Sequence, residues 1–315
     1  MIVLDSIQLV VDAARHVSLD DSAIARWAAS ITADDLRPVH HTLPALLPGN
    51  RAQLANLTLL IDSLNFCFWS DDPPRNTWNG TTYHRFDAMF VAILKAAQAD
   101  PRWFDARHWA WAEPAEIAGL LACDGQLPML AERERILRET GRTLMERFDG
   151  QFADAVDSVN RDAWALAVLL MTNFDSFRDV ACYADQPIFI MKRAQICALD
   201  LSVAWDTHGH GPLDNLDALT AFADYRVPQG LRQLGILQLT PDLATRIQNR
   251  EWIHAGSPEE VEIRAATVLA VERMRQALAG RGRPTPAWQI DWYLWALARG
   301  PGVTVEHHRT WTTFY

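Results

Sequence analysis

"SPEEVEIRAATVLAVERMRQALAG", residues 257–280, sets the fold class. Ser257 is a helix N-cap, Pro258 suits the first helical position, and Glu260 completes a capping box. Gly280 is the stop signal. Between them the apolar residues recur at helical spacing. The same period appears upstream. In 85–99, Phe86, Met89, Phe90, Ile93 and Leu94 fall on one face, and in 19–32 Ile24, Trp27 and Ile31 do so. Further helices are expected over 128–148 and 161–172, from Glu113-Pro114 onward, and over roughly 286–298, "PAWQIDWYLWALA". Strand signals are short: "NFCFW" (65–69), "PIFIM" (187–191) and the C-terminal "GVTVEHHRTWTTFY" (302–315), which are expected to pair into a small sheet. "DDPPRNTWNG" (71–80) and "DTHGHGPLDN" (206–215) read as loops, the second as a connector more readily than as a lid. The expectation is a mainly α fold with a few short β-strands. It forms one catalytic domain over 1–315, with room for two helical lobes and the site between them.

Composition narrows the function. With 39 acids against 29 bases the net charge is −10, which disfavours a general binder of phosphate backbones and any stable nucleic-acid complex. A small ligand suits the balance better. The 13 tryptophans supply core packing first, and a ring-lined pocket second. The four cysteines sit at no metal-ligand spacing and read as reduced core thiols of a cytosolic protein. No window approaches a membrane span. Dinucleotide and phosphate-loop signatures are missing, so no nucleotide cofactor is expected. "THGHG" and "EHHR" lack helical metal spacing, so no metal is expected either.

Chemistry then falls to carboxylates. In "FADYRVPQGLRQLGILQLTPDL" (222–243), Pro228 pushes Val227 out of helical geometry, which leaves Asp224-Tyr225-Arg226 in a turn before a short helix. Gly235 and Thr240-Pro241 then suggest a helical hairpin over 228–250 of the kind that grips nucleic acid. Asp224 and Arg226 can be site residues, or can simply cap helices or pair with each other. Asp291 stands alone among Trp288, Trp292, Tyr293 and Trp295, and a lone buried carboxylate needs a partner, either in the protein or on a ligand. Lys192 and Arg193 are candidate phosphate ligands, with a solvated surface pair as the weightier alternative. "NFDSFRDV" (173–180) reads more readily as an ion network than as a site. His84, beside aromatics, is by itself more often packed than liganding.

"DSLNFCFW" (62–69), "NFDSFRD" (173–179), "KRAQ" (192–195), "FADYRVPQ" (222–229) and "IDWYLW" (290–295) together resemble the queuosine salvage protein family, the queuosine 5′-phosphate N-glycosylases. The likeness runs from about residue 50 to the C-terminus. It implies a helical fold related to helix–hairpin–helix DNA glycosylases. It also implies cofactor-free hydrolysis of queuosine 5′-monophosphate to queuine and ribose 5-phosphate. Asp224 would be the catalytic carboxylate, and Phe222, His84, Asp291 and Trp292 would contact the base. Some relatives carry another acid one turn after the Asp-aromatic pair, near Ala296 here, so one base contact differs. The 5′-phosphate needs Lys192, Arg193 or Arg226, and Tyr225 stands beside them. The competing readings are a DNA base glycosylase, motivated by the hairpin, and a non-catalytic carrier of queuine or a nucleoside, motivated by the tryptophans.

Overall fold

The computed structural model describes residues 2–37 and 44–315. Among them, in chain order, are α1 Ile2–Ala13, β1 Val17–Leu19, α2 Asp21–Ser30, α3 Arg51–Ser63, β2 Arg75–Trp78, β3 Thr81–His84, α4 Phe86–Ala99, α5 Ala106–Trp111, α6 Pro114–Leu120, α7 Leu130–Phe148, α8 Phe152–Ser158 and α9 Ala163–Asn173. The chain continues with β4 Val180–Tyr183, β5 Gln186–Phe189, α10 Lys192–Thr207, α11 Arg226–Gln233, β6 Leu237–Leu239, α12 Pro241–Gln248, α13 Pro258–Ala279 and α14 Ala287–Arg299. The fold is mainly α, and no described helix is long and apolar enough to cross a membrane.

Helix α13 begins at the expected N-cap, but the expected capping box is not closed, since the Ser257 amide donates to the His254 carbonyl. Ser257 Oγ accepts the Glu260 amide at 3.3 Å, while the Glu260 carboxylate reaches past the cap to the Gly256 amide at 3.1 Å. Gly280 keeps a right-handed conformation, and Gly282 (φ 74°) makes the left-handed turn instead. α13 is buried along most of its length because it packs on α1, α2, α11 and α14. Buried apolar residues form two clusters. The larger includes residues of α1, α3, α4, α7, α9 and α10, and the smaller includes residues of α2, α11, α12 and α14, with α13 contributing to both.

The strands differ from expectation. They form three antiparallel pairs, β1–β6, β2–β3 and β4–β5. Only 187–191 among the expected strands is partly one. Residues 71–80 hold β2, because Asn79 (φ 48°) and Gly80 (φ 79°) close a tight hairpin with β3. Residues 65–69 are buried coil instead. The Cys67 amide donates to the Tyr315 carbonyl, and Arg133 donates to the carbonyls of Leu64, Phe66 and Cys67. Those bonds satisfy the Phe66 and Cys67 carbonyls and the Cys67 amide without a ladder. The C-terminal segment is also irregular, touching Trp252 through one bridge at Arg309. Residues 206–215 form a connector tied down by Arg161, whose guanidinium donates to the carbonyls of His210, Gly211 and Pro212. Of the four cysteines only Cys67 and Cys197 are buried; Cys182 lies exposed on a two-stranded edge.

The expected helical hairpin is interrupted. α11 starts at Arg226, so Val227 is helical after all. Pro228 falls in the first turn, where its missing N–H costs no helical hydrogen bond. Gly235 (φ 70°) then makes the turn, and β6 pairs with β1 before α12 begins. α11 lies backbone to backbone against α14. A Cβ on Gly230 would stand 2.6 Å from the Leu294 carbonyl oxygen.

His307 and His308 are buried in the C-terminal segment. Burial, aided by the Arg226 charge for His307 and by His307 itself for His308, brings both down to about 3. Below pH 6.5 the unfolded chain takes up protons that these folded imidazoles refuse. Each histidine therefore withdraws up to about 1.4 kcal/mol of stability per pH unit as pH falls from 6.5 toward 3. Several buried carboxylates titrate with the opposite sign, so the test is a difference. Urea midpoints of His308→Gln and wild type, compared at pH 7 and pH 5, should move in favour of the variant at pH 5.

Candidate active site

One cavity collects residues from α3, the β3–α4 junction, α10, α11, α14 and the segment before α11. Asp224, Phe222, Tyr225, Arg226, Lys192, His84, Asp291 and Trp292 all line it. Asp224 is 8% exposed. Its Oδ1 accepts the amides of Arg226 at 2.7 Å and Val227 at 2.8 Å, which caps α11. The capping alternative and the site alternative are thus compatible. Oδ1 holds the helix, and no hydrogen bond engages Oδ2. Burial raises the Asp224 pKa, while Lys192 and the two amides pull it down. Arg226 does not pair with it; its guanidinium donates to Gln229 Oε1 at 2.7 Å.

Two buried groups surround this carboxylate. Asp291, on α14, accepts the Phe222 amide at 2.8 Å through Oδ1. This bond ties α14 to the segment that carries Asp224. Burial first, and then the Asp224 charge, push the Asp291 pKa well above the usual carboxylate range. Lys192 opens α10 and is 4% exposed, with its Nζ donating to the Asn65 carbonyl at 3.5 Å. Its pKa falls through burial, countered by the charges of Asp224, Asp62 and Asp291. Lys192 is therefore not a solvated surface residue.

Arg193 departs from expectation. It turns into the core and donates to the carbonyls of Asp62, Ser63 and Ser176, and the cavity lining excludes it. Adjacent helical residues point about 100° apart, so a Lys-Arg pair on α10 delivers one head group to the cavity. The "NFDSFRDV" segment contributes a network. Asp179 forms a two-bond ion pair with Arg264 at 2.8 and 2.7 Å and also accepts the Lys192 amide at 3.0 Å. Arg264 donates in turn to the carbonyl of Ala223, next to Asp224, at 3.0 Å.

The cavity mouth is cationic. Arg85 and Arg299 join Arg226 there, and all three, with His84, also line a second, adjoining cavity. Arg85 sits at φ 58°, ψ −124°, an uncommon conformation for a side-chain-bearing residue. Its Nε is buried without a hydrogen-bond partner. Burial and the charges of Arg226 and Arg299 lower its pKa. His84 is exposed at the end of β3. Arg299 stacks on Trp295 at 4.2 Å and donates to Asp87 at 3.1 Å.

Sequence reasoning missed Asp62, Asp200, Arg85, Arg299 and Tyr315, which line the same cavity. Asp62 in "LLIDSL" and Asp200 in "CALDLS" carry the signal that marked Asp291, an acid inside an apolar helix. Among the described residues no cluster of His, Cys, Asp or Glu is arranged to hold a metal ion.

A family model described as "Queuosine salvage protein" matches residues 47–315. The chain is 43% identical over 314 residues to the queuosine 5′-phosphate N-glycosylase/hydrolase of Sphaerobacter thermophilus, which covers 99% of this chain and 97% of that protein. The protein of the same name from Dictyostelium discoideum is 38% identical over 264 residues, 83% of this chain and 78% of its own. That from Bos taurus is 31% identical over 332 residues, 97% and 96% respectively.

Proposed function

The chain belongs to the queuosine salvage protein family, and on that premise we propose that it hydrolyses the N-glycosidic bond of queuosine 5′-monophosphate, with Asp224 facing the sugar. The observation that carries the reading is the division of labour within one carboxylate. Oδ1 is fixed by two backbone amides, and Oδ2 is left for the cavity. As the bond from the anomeric carbon to the base nitrogen breaks, its electron pair leaves with queuine and positive charge builds on the ribose. A preorganised carboxylate stabilises that charge or captures the carbon. Water then supplies hydroxide to the carbon and a proton to the departing base, giving queuine and ribose 5-phosphate. Queuine has carbon where a purine has N7, so leaving-group protonation at that atom is closed, and more of the barrier must be lowered at the sugar.

Asp291, Phe222 and Trp292 suit the base, since a buried carboxyl group can hydrogen-bond to it and aromatic rings can stack on it. Arg226, together with Arg85 and Arg299, suits the 5′-phosphate better than Lys192 does. Lys192 is already matched to carboxylates, whereas Arg85 Nε has no acceptor. The DNA glycosylase reading loses its motive, because β6 occupies the hairpin and is committed to β1. The test is incubation with queuosine 5′-monophosphate and mass spectrometry for queuine. Release of queuine at catalytic turnover is expected, and its absence from folded protein overturns the reading.

A further inference from the structure

The cavity has chemically opposite ends. The arginines stand at the mouth shared with the second cavity, whose lining includes neither Asp62 nor Asp200. Along α10, Lys192, Ile196, Asp200, Val203 and Thr207 follow one cavity-facing row. Asp200 is thus about 12 Å along the helix from Lys192. Asp62, from α3, is fully buried. Its Oδ1 accepts the Asn65 side-chain amide at 3.1 Å. Its Oδ2 is buried with no hydrogen-bond partner, although the Cys197 thiol is near enough to bias its ionisation. Asp200 is partly exposed because it faces the cavity, and no described group donates a hydrogen bond to its side chain.

Burial raises both acids, Asp62 to about 7, and the Asp62 charge raises Asp200 further. Leaving Asp62 Oδ2 and the Asp200 carboxyl without donors costs stability, and a protein keeps such groups where something else satisfies them. Lys192 alone does not, because it also serves Asp224 and Asp291.

We propose that Asp62 and Asp200 form a subsite for an alkylammonium arm carried by the leaving base, each carboxylate accepting one N–H of a secondary ammonium. The inference rests on the proposed function for the identity of the ligand, since queuine carries such an amine. Leu47, Ile61 and Val203 wall this end and cover the carbon skeleton of the arm. The acids would then select armed bases over plain 7-deazaguanine, and the arginines would select the phosphate.

The test is equilibrium binding of free queuine and of 7-deazaguanine, by titration calorimetry, to wild type, Asp200→Asn and Asp62→Asn. Wild type is expected to prefer queuine. Asp200→Asn should weaken queuine by about 10- to 100-fold while leaving 7-deazaguanine binding at its wild-type level. Equal weakening of both ligands, no weakening of either, or no preference in wild type overturns the subsite. Asp200 faces open space, so its variant carries the test even where Asp62→Asn fails to fold. Binding is read without turnover. A wild type that prefers queuine but never releases it from the mononucleotide would therefore contradict the proposed function and leave the subsite standing.

Discussion

Asp224→Asn is expected to lower kcat on queuosine 5′-monophosphate by at least about 100-fold, with substrate binding close to wild type. The asparagine keeps a carbonyl oxygen where Oδ1 accepts the amides of Arg226 and Val227, so the cap of α11 persists. What disappears is the negative charge that the proposed function sets against the anomeric carbon. Folding should suffer little, because the native carboxylate is held against its desolvation cost and a neutral group avoids that cost. Single-turnover release of queuine, alongside a circular-dichroism melt, separates the two effects. A folded variant within about tenfold of the wild-type rate would remove Asp224 from the reacting centre.

Arg264→Ala should cost about 3–5 kcal/mol in stability. The Arg264 and Asp179 side chains are each 2% exposed, and the pair makes two short hydrogen bonds. Glu260 lies 3.7 Å from the same guanidinium. Removing the cation leaves Asp179 and Glu260 buried with less compensation. The same change frees the Ala223 carbonyl and loosens the acid that caps Lys192, so kcat should fall as well. Urea denaturation measures the first effect. A double variant, Arg264→Met with Asp179→Leu, should be more stable than Arg264→Ala, since it removes both charges. If it is not, the buried charge left behind is not the source of the loss.

The helices were legible because their apolar period is local. Residues 86–99 and 257–280 carry it within their own sequence. The strands were not, because each is three or four residues long and, for β1, the partner lies more than two hundred residues away. "NFCFW" looks like a strand, but its carbonyls are claimed by Arg133, which no local pattern connects to it. At the site, Asp224, Phe222, Tyr225, Arg226, Lys192, Asp291, Trp292 and His84 do reach one cavity. Arg193 does not, since chain adjacency on a helix says nothing about direction. Arg85 and Arg299 escaped notice because the cationic mouth exists only once the β3–α4 junction meets the end of α14.

The packing of α1 on α13 bears on how the chain is made. Val3, Ile7 and Val10 are fully covered in the finished fold, and α13 supplies part of that cover. β1, just after α1, waits for β6, and the Arg15 and His16 amides wait for the Glu262 carboxylate. At roughly 5–20 residues per second, a ribosome needs on the order of 10–50 s to get from the first helix to the thirteenth. Through that interval the apolar face of α1 has emerged without the helix that covers it in the finished fold.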